Sequence, residues 1–217
     1  ITQNNGAIDL FNGNSGDNNA VLEFTGTSNA TFTKVNGSNP DLYQIVINKG
    51  TSQTPTVTIN TAITLGAPTD VSNKSIVLQN GTLVLNNASN AITLSSGGAY
   101  FNIPSTAALQ LSNGSYTITS NNNGISLYGK LRVDGNATLD LGDGSLAETR
   151  NIIYYNNLPE LQVADNATLQ VQTQIRRPGG TLAGSLRYTQ TGGNVIIQGR
   201  NLAGGRALLE VCNSGSQ

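Results

Sequence analysis

The chain has 217 residues, a formal net charge of -1 and 11% charged side chains, with 25 Gly, one Cys and no His, Met or Trp. So sparse and balanced a charge cannot drive nucleic-acid binding by counterion release, and no basic block does so locally. Without His the chain lacks the commonest general base, the commonest zinc ligand and the usual pH switch, and one Cys closes neither an internal disulfide nor a thiolate metal site. Apolar runs stop at three or four residues, so no membrane insertion is expected.

The 29 Asn stand beside abundant Thr and Gly. All three are poor helix formers; Thr suits a pleated surface, and Asn with Gly suits turns. The predicted elements are short strands. Residues 7–10, 20–24, 56–59, 81–85, 107–111 and 129–133 each alternate apolar and polar side chains and end in Asn, Gly, Asp or Ser, the pattern of half-buried strands. The best helix candidate, 145–150, is about one and a half turns and too short to stand alone.

The strands repeat. Asn-Ala-Thr-Leu occurs at 136–139 and 166–169, with Asn80-Gly81-Thr82-Leu83 a relative. A small-x-Leu-x-apolar signature aligns Leu83, Leu109, Leu139, Leu169 and Leu209, at intervals of 26, 30, 30 and 40, and Ile59 precedes Leu83 by 24. That spacing predicts an all-β parallel β-helix (β-solenoid) of about eight irregular coils, in which inward Leu, Ile and Val stack because no single coil buries its own apolar face. Small residues before each Leu (Gly81, Ala107, Ala137, Ala167) fit tight corners, where Asn tolerates left-handed geometry and stacks into ladders. The competing architecture is a tandem pair of antiparallel β-sandwiches, favoured by a hairpin signal at Asn80-Gly81 between two apolar runs. Residues 1–211 form one elongated segment in this reading. Residues 12–19 are a polar loop or fraying end, Arg176-Arg177-Pro178-Gly179-Gly180 leaves the rod as an inserted loop (a domain linker being the alternative), and 212–217 is a disordered tail.

Little in the sequence carries chemistry. Asp134, Asp140 and Asp143 are the densest carboxylate cluster, oxygens of the kind calcium takes, but they match no calcium-loop spacing. A polysaccharide lyase or glycoside hydrolase would need carboxylates on one groove; Asp140 and Asp143 beside Asp165 one coil later, with Lys130 and Arg132 nearby, make such a face. Their spacing singles out nothing, and the chain is read as no enzyme, with no cofactor. Of Tyr154 and Tyr155 one faces out of a strand, and with Asn156 it offers a ring and an amide to a sugar, the basis of a carbohydrate-binding alternative. Arg176-Arg177 reads as solvated loop charge. Eight Asn-x-Ser/Thr sequons, starting at Asn29, Asn36, Asn73, Asn80, Asn87, Asn113, Asn136 and Asn166, are glycan acceptors only if the chain is a eukaryotic secreted one. Cys212 has no His to activate it.

The order of 42–50, the Thr-rich strand 56–60, then 62–65 and 76–86 resembles the β-solenoid repeats of very large cell-surface adhesins that Bacteroidota export through the type IX secretion system, some serving gliding motility. The likeness covers roughly residues 42–171 and extends, more loosely, to autotransporter passenger domains and filamentous haemagglutinin. It implies a non-enzymatic stalk or spacer on the bacterial outer surface, with the type IX machinery, other segments of the same protein and surface glycans as partners. The chain departs from that pattern in having no sorting domain after Val211, and it starts at Ile1. An internal or truncated fragment of a larger exported protein is the expectation.

Overall fold

The computed structural model describes residues 1–11, 19–66, 75–95, 100–119, 124–142, 151–178, 184–199 and 208–210. The helix candidate at 145–150, Asp143, Asn73, Gly179, Gly180, Cys212, the tail and most of the 12–19 stretch lie outside them. The strands in chain order are β1 (Thr2–Gln3), β2 (Val21–Phe24), β3 (Ala30–Lys34), β4 (Asp41–Leu42), β5 (Gln44–Asn48), β6 (Thr56–Ile59), β7 (Thr64–Leu65), β8 (Ile76–Ser95), β9 (Phe101–Ile103), β10 (Ala107–Ile118), β11 (Ile125–Leu127), β12 (Lys130–Leu141), β13 (Ile153–Tyr155), β14 (Glu160–Val163), β15 (Thr168–Val171), β16 (Gln174–Arg176), β17 (Arg187–Gln190), β18 (Asn194–Ile197) and β19 (Leu208–Leu209).

Among the described residues every strand pairing is parallel and no helix occurs. Parallel neighbours cannot be joined by a two-residue turn, so strands pair with equivalent strands of adjacent coils. The result is a β-solenoid. Its largest sheet follows β1-β3-β6-β8-β10-β12-β14-β17, with β2, β5, β15 and β18 joined at the side; a second sheet runs β9-β11-β13-β16-β19, and β4 pairs with β7. Eight strands line the longest path, but the first and last rungs have a neighbour on one side only, so the complete turns number about six, fewer than eight.

Asn80-Gly81 is a corner and not a hairpin. Gly81 has φ 92°. Residues before it pair with β5, and those after it with β6 and β10. β10 and β12 bend in the same way at Gly114 (φ 101°) and Gly135 (φ 58°). One coil later Asp165 takes that left-handed corner itself, at φ 57°.

These bends give each coil three inward-facing segments, and they revise the leucine alignment. One column reads Val57, Leu83, Leu109, Leu131, Leu161. A second reads Ile92, Tyr116, Leu139, Leu169, Val195. The third, on the smaller sheet, reads Phe101, Ile125, Ile153, Ile175, Leu209. The expected pairs Leu83–Leu109 and Leu139–Leu169 stand. Leu109 stacks on Leu131 instead of Leu139, and Leu209 on Ile175 instead of Leu169, because the signature recurs on more than one face of the same coil. All three columns feed a single core, apart from Leu209 at the end of the third, which is exposed. Each fully buried Leu or Ile contributes about 1.5–3 kcal/mol. Tyr116, also fully buried, donates its hydroxyl to the Asn113 carbonyl at 2.6 Å and accepts from Asn90 Nδ2 at 3.4 Å. Burial pushes its phenol up to about 12, against a smaller lowering by Asn90.

Asparagine ladders run along the corners. Asn86 Nδ2 donates to Asn60 Oδ1 (3.2 Å), Asn113 to Asn86 (2.8 Å), Asn136 to Asn113 (3.4 Å) and Asn166 to Asn136 (3.4 Å). On another corner Asn80 donates to Asn48 (2.9 Å) and Asn48 to Glu23 (3.1 Å). Asx side chains at equivalent turns stand one coil spacing apart, about 4.8 Å, within reach of the next amide.

Arg176 and Arg177 do not leave the rod, contrary to the inserted-loop reading. Arg176 is in β16, and Arg177 grips Glu210 through its backbone amide (2.9 Å), Nε (3.0 Å) and Nη2 (2.9 Å).

Candidate functional site

Alternation on the smaller sheet turns Ile125, Ile153 and Ile175 inward and leaves Asn102, Ser126, Tyr154 and Arg176 in one outward row. The Tyr154 ring is half-buried and lies 5.6 Å, centroid to centroid, from Tyr100 at 42°. The Arg176 guanidinium carbon is 5.7 Å from the same ring, within cation–π range. Tyr100, Tyr154 and Arg176 thus form an aromatic strip with a cation at one end, chemistry suited to the apolar face and hydroxyls of a sugar.

Tyr155 does not belong to that strip. Next in the strand, it points inward, is fully buried and donates its hydroxyl to the Glu210 carbonyl at 2.6 Å. With the Arg177 contacts it anchors the last described strand. Asn156 is half-buried, and its Oδ1 accepts from the Asn157 amide at 2.8 Å. Of the three expected ligand residues Tyr154 alone presents a ring outward. Tyr100 and Arg176 are residues the sequence did not associate with it, since strand register across non-adjacent coils brings them together.

The carboxylates serve the fold. Asp134 is buried and accepts from Gln110 Nε2 at 2.9 Å and from Arg132 Nε. Asp140 points outward, as alternation predicts, and accepts from Gln170 Nε2 at 3.1 Å. Partial burial raises its carboxyl above the ordinary value, and the Gln170 bond offsets part of that. Asp165 Oδ2 accepts the Gly135 amide at 3.0 Å. Asp140 pairs in register with Gln170, and Asp165 sits at the preceding corner, so the two do not share a rung. Among the described residues no three of His, Cys, Asp and Glu converge on a metal position. The other clustered pair, Asp9 and Asp41, are bridge partners; burial, then the Asp9 charge, raises the Asp41 carboxyl.

Four of the sequon asparagines, Asn80, Asn113, Asn136 and Asn166, donate their amide nitrogens along the ladders. A glycan on that nitrogen would displace the bond. Asn29 uses its oxygen, accepting from the Thr56 amide at 2.9 Å.

No protein-family model, curated protein or solved structure matches the chain. The class of molecule is set by the fold alone: a parallel β-solenoid. Among the described residues no helix is long and apolar enough to cross a membrane.

Proposed function

We propose that the chain is a non-enzymatic rod segment, a stalk or spacer, of an exported bacterial surface protein. The observation that carries this reading is the single uninterrupted parallel ladder through eight strands over one core. Force applied along the rod loads many backbone hydrogen bonds and a continuous stack of side chains, and each coil supports only its neighbours. The likeness to type IX-secreted adhesin repeats supplies the surface location, a role in adhesion or gliding, and the export machinery as a partner. The carboxylates favour the same reading, since Asp134, Asp140 and Asp165 are engaged in the fold's own bonds.

Single-molecule stretching of the chain tests the mechanical role. Coils of about 26 residues released one at a time lengthen the molecule by about 90 Å per step; collapse of the whole chain in one step at negligible force contradicts it. Incubation with neutral and acidic polysaccharides, with and without calcium, tests the absence of catalysis, and any cleavage product overturns it. Staining of intact source cells with antibody to the chain tests the location.

The Tyr100–Tyr154–Arg176 strip favours a second reading, a carbohydrate-binding module. On a glycan array, binding lost in Tyr154→Ala supports it, and binding unaffected by that change removes it.

A further inference from the structure

A different face of the rod carries a groove. Along the outward row of the large sheet, register aligns Thr82, Ala108, Lys130, Glu160 and Arg187 on five successive rungs. Four rises of about 4.8 Å make a track about 19 Å long. Ala108 is the small member, and its short side chain leaves a hollow of about 280 Å³ between Thr82 and Lys130. A second hollow of about 250 Å³ continues past Lys130 and Glu160 to Arg187. Gln53 and Lys130 line both, so the two are one groove.

Its wall is the 50–55 corner, pinned from two sides. Thr82 Oγ1 donates to the Gln53 carbonyl at 2.6 Å, and Gln53 Nε2 reaches 52 positions on to donate to the Ser105 carbonyl at 3.0 Å. Tyr128, 36% exposed, and Leu158, 64% exposed, line the second hollow. Leu158 follows Asn157, which has φ 66° and bridges to Gly184.

The charge in the groove is unbalanced. Lys130 Nζ meets Glu160 at 3.3 Å, and Arg132 gives only its Nε to Asp134. The terminal nitrogens of Arg132 have no protein partner among the described residues. Arg187 is exposed, and its side chain makes no ion pair with the described residues. Three cations therefore stand against two carboxylates, with spare donors on the middle rung at Arg132 and at the Arg187 end of the track. The strands beneath pair on both edges, so a peptide cannot add as a further strand and recognition falls to side chains. Cations spaced along a track, amides at Gln53 and Asn157, and an exposed aromatic ring are the groups that bind carboxylates, hydroxyls and the apolar faces of sugar rings.

We propose that this groove binds an acidic polysaccharide, a uronic-acid-bearing chain lying along the rod axis with carboxylates on Arg132 and Arg187 and a ring against Tyr128. The site is independent of the aromatic strip on the smaller sheet and does not rest on the stalk reading.

Titration calorimetry of the full chain with a tetramer of galacturonic acid tests it, against the methyl-esterified tetramer and a single-stranded oligonucleotide. The expected result is saturable binding of the free acid at low salt, weakened at least about tenfold by 0.5 M salt and absent with the ester. Arg187→Gln weakens binding at least about fivefold with an unchanged melting temperature; Lys34→Gln, the same charge change on β3 outside the groove, leaves binding as it was. No binding of the free acid, or equal binding of ester and acid, overturns the proposal. So does an oligonucleotide bound as tightly, or an Arg187→Gln protein that binds as well as the parent. Binding abolished by Tyr154→Ala and kept in Arg187→Gln also overturns it, moving the ligand to the aromatic strip.

Discussion

Leu139 and Leu169 are register partners on adjacent parallel strands, and both side chains are completely buried. Each roofs the other, so a change at one is felt on two coils. Leu139→Ala removes apolar contact and leaves a cavity, and is expected to cost about 2–5 kcal/mol. Leu139→Asp buries a charge with no partner and is expected to abolish the cooperative melt of this part of the rod. Thermal denaturation followed by circular dichroism reads both. A Leu139→Asp protein that melts like the parent contradicts the inward assignment.

Asn113 is the middle of the longer ladder, donating to Asn86 and accepting from Asn136. Asn113→Ala breaks both bonds, with an expected cost of about 1–2 kcal/mol. Asn113→Asp keeps the acceptor but sets a carboxylate oxygen against Asn86 Oδ1. Protonation restores a donor, so the Asp variant is expected to lie below the parent at pH 7 and to approach it in acid. Equal deficits at both pH values would mean the ladder bond is not what the substitution removes.

Gly135 and Gly26 both have positive φ but different surroundings. A Cβ on Gly135 would stand 2.0 Å from the Ser112 carbonyl oxygen, whereas one on Gly26 meets nothing within 4 Å. Gly26→Ala is expected to cost only the left-handed backbone penalty, about 1–2 kcal/mol. Gly135→Ala adds a backbone clash and is expected to cost at least about twice that. Chemical denaturation of the two variants checks the ranking.

Asp140 has a carboxyl raised in the folded rod, chiefly by partial burial. The folded state therefore holds its proton more tightly than the unfolded chain, and its contribution to stability is fully present below the ordinary value of 3.8 and is lost as pH rises through the folded value. Asp140→Asn removes that loss while keeping an oxygen for Gln170. The variant is expected to melt slightly above the parent at pH 7, with the difference shrinking toward pH 3.5. A variant that melts lower at pH 7 contradicts the sign.

Tyr116 is expected to ionise only near the pH where its phenol has been pushed, about 12. Its stability contribution is present below the ordinary value of 10.0 and is lost between there and about 12. Spectrophotometric titration of phenolate absorbance in the parent and in Tyr116→Phe isolates this residue. A difference spectrum already complete at pH 10 refutes the buried assignment.

Much of the architecture was legible because strand alternation and the Asn-Ala-Thr-Leu repeat are local and periodic. Leu139 over Leu169 and the stacked corner asparagines follow from them directly. The three-sided coil was less legible. Tyr116 occupies a leucine's place in its column, and Leu131, one of two apolar residues per strand segment, was passed over in favour of Leu139. The hairpin signal at Asn80-Gly81 misleads because a left-handed corner between two faces uses the same residues as a tight turn. At the candidate sites the sequence showed that one of Tyr154 and Tyr155 faces out, but not which. It gave no sign of Arg187, Tyr100 or Gln53, whose positions depend on contacts between coils 27 to 54 residues apart.

Both asparagine ladders point the same way. In every rung the later residue gives its NH2 group to the oxygen of the earlier one. The side-chain amide dipoles therefore add, as peptide dipoles do in a helix, with the positive pole toward the first coils. Glu23, the negative group that terminates the shorter ladder, sits at that pole. The rod thus carries two rows of side-chain dipoles of one sense, their positive ends toward the first coils.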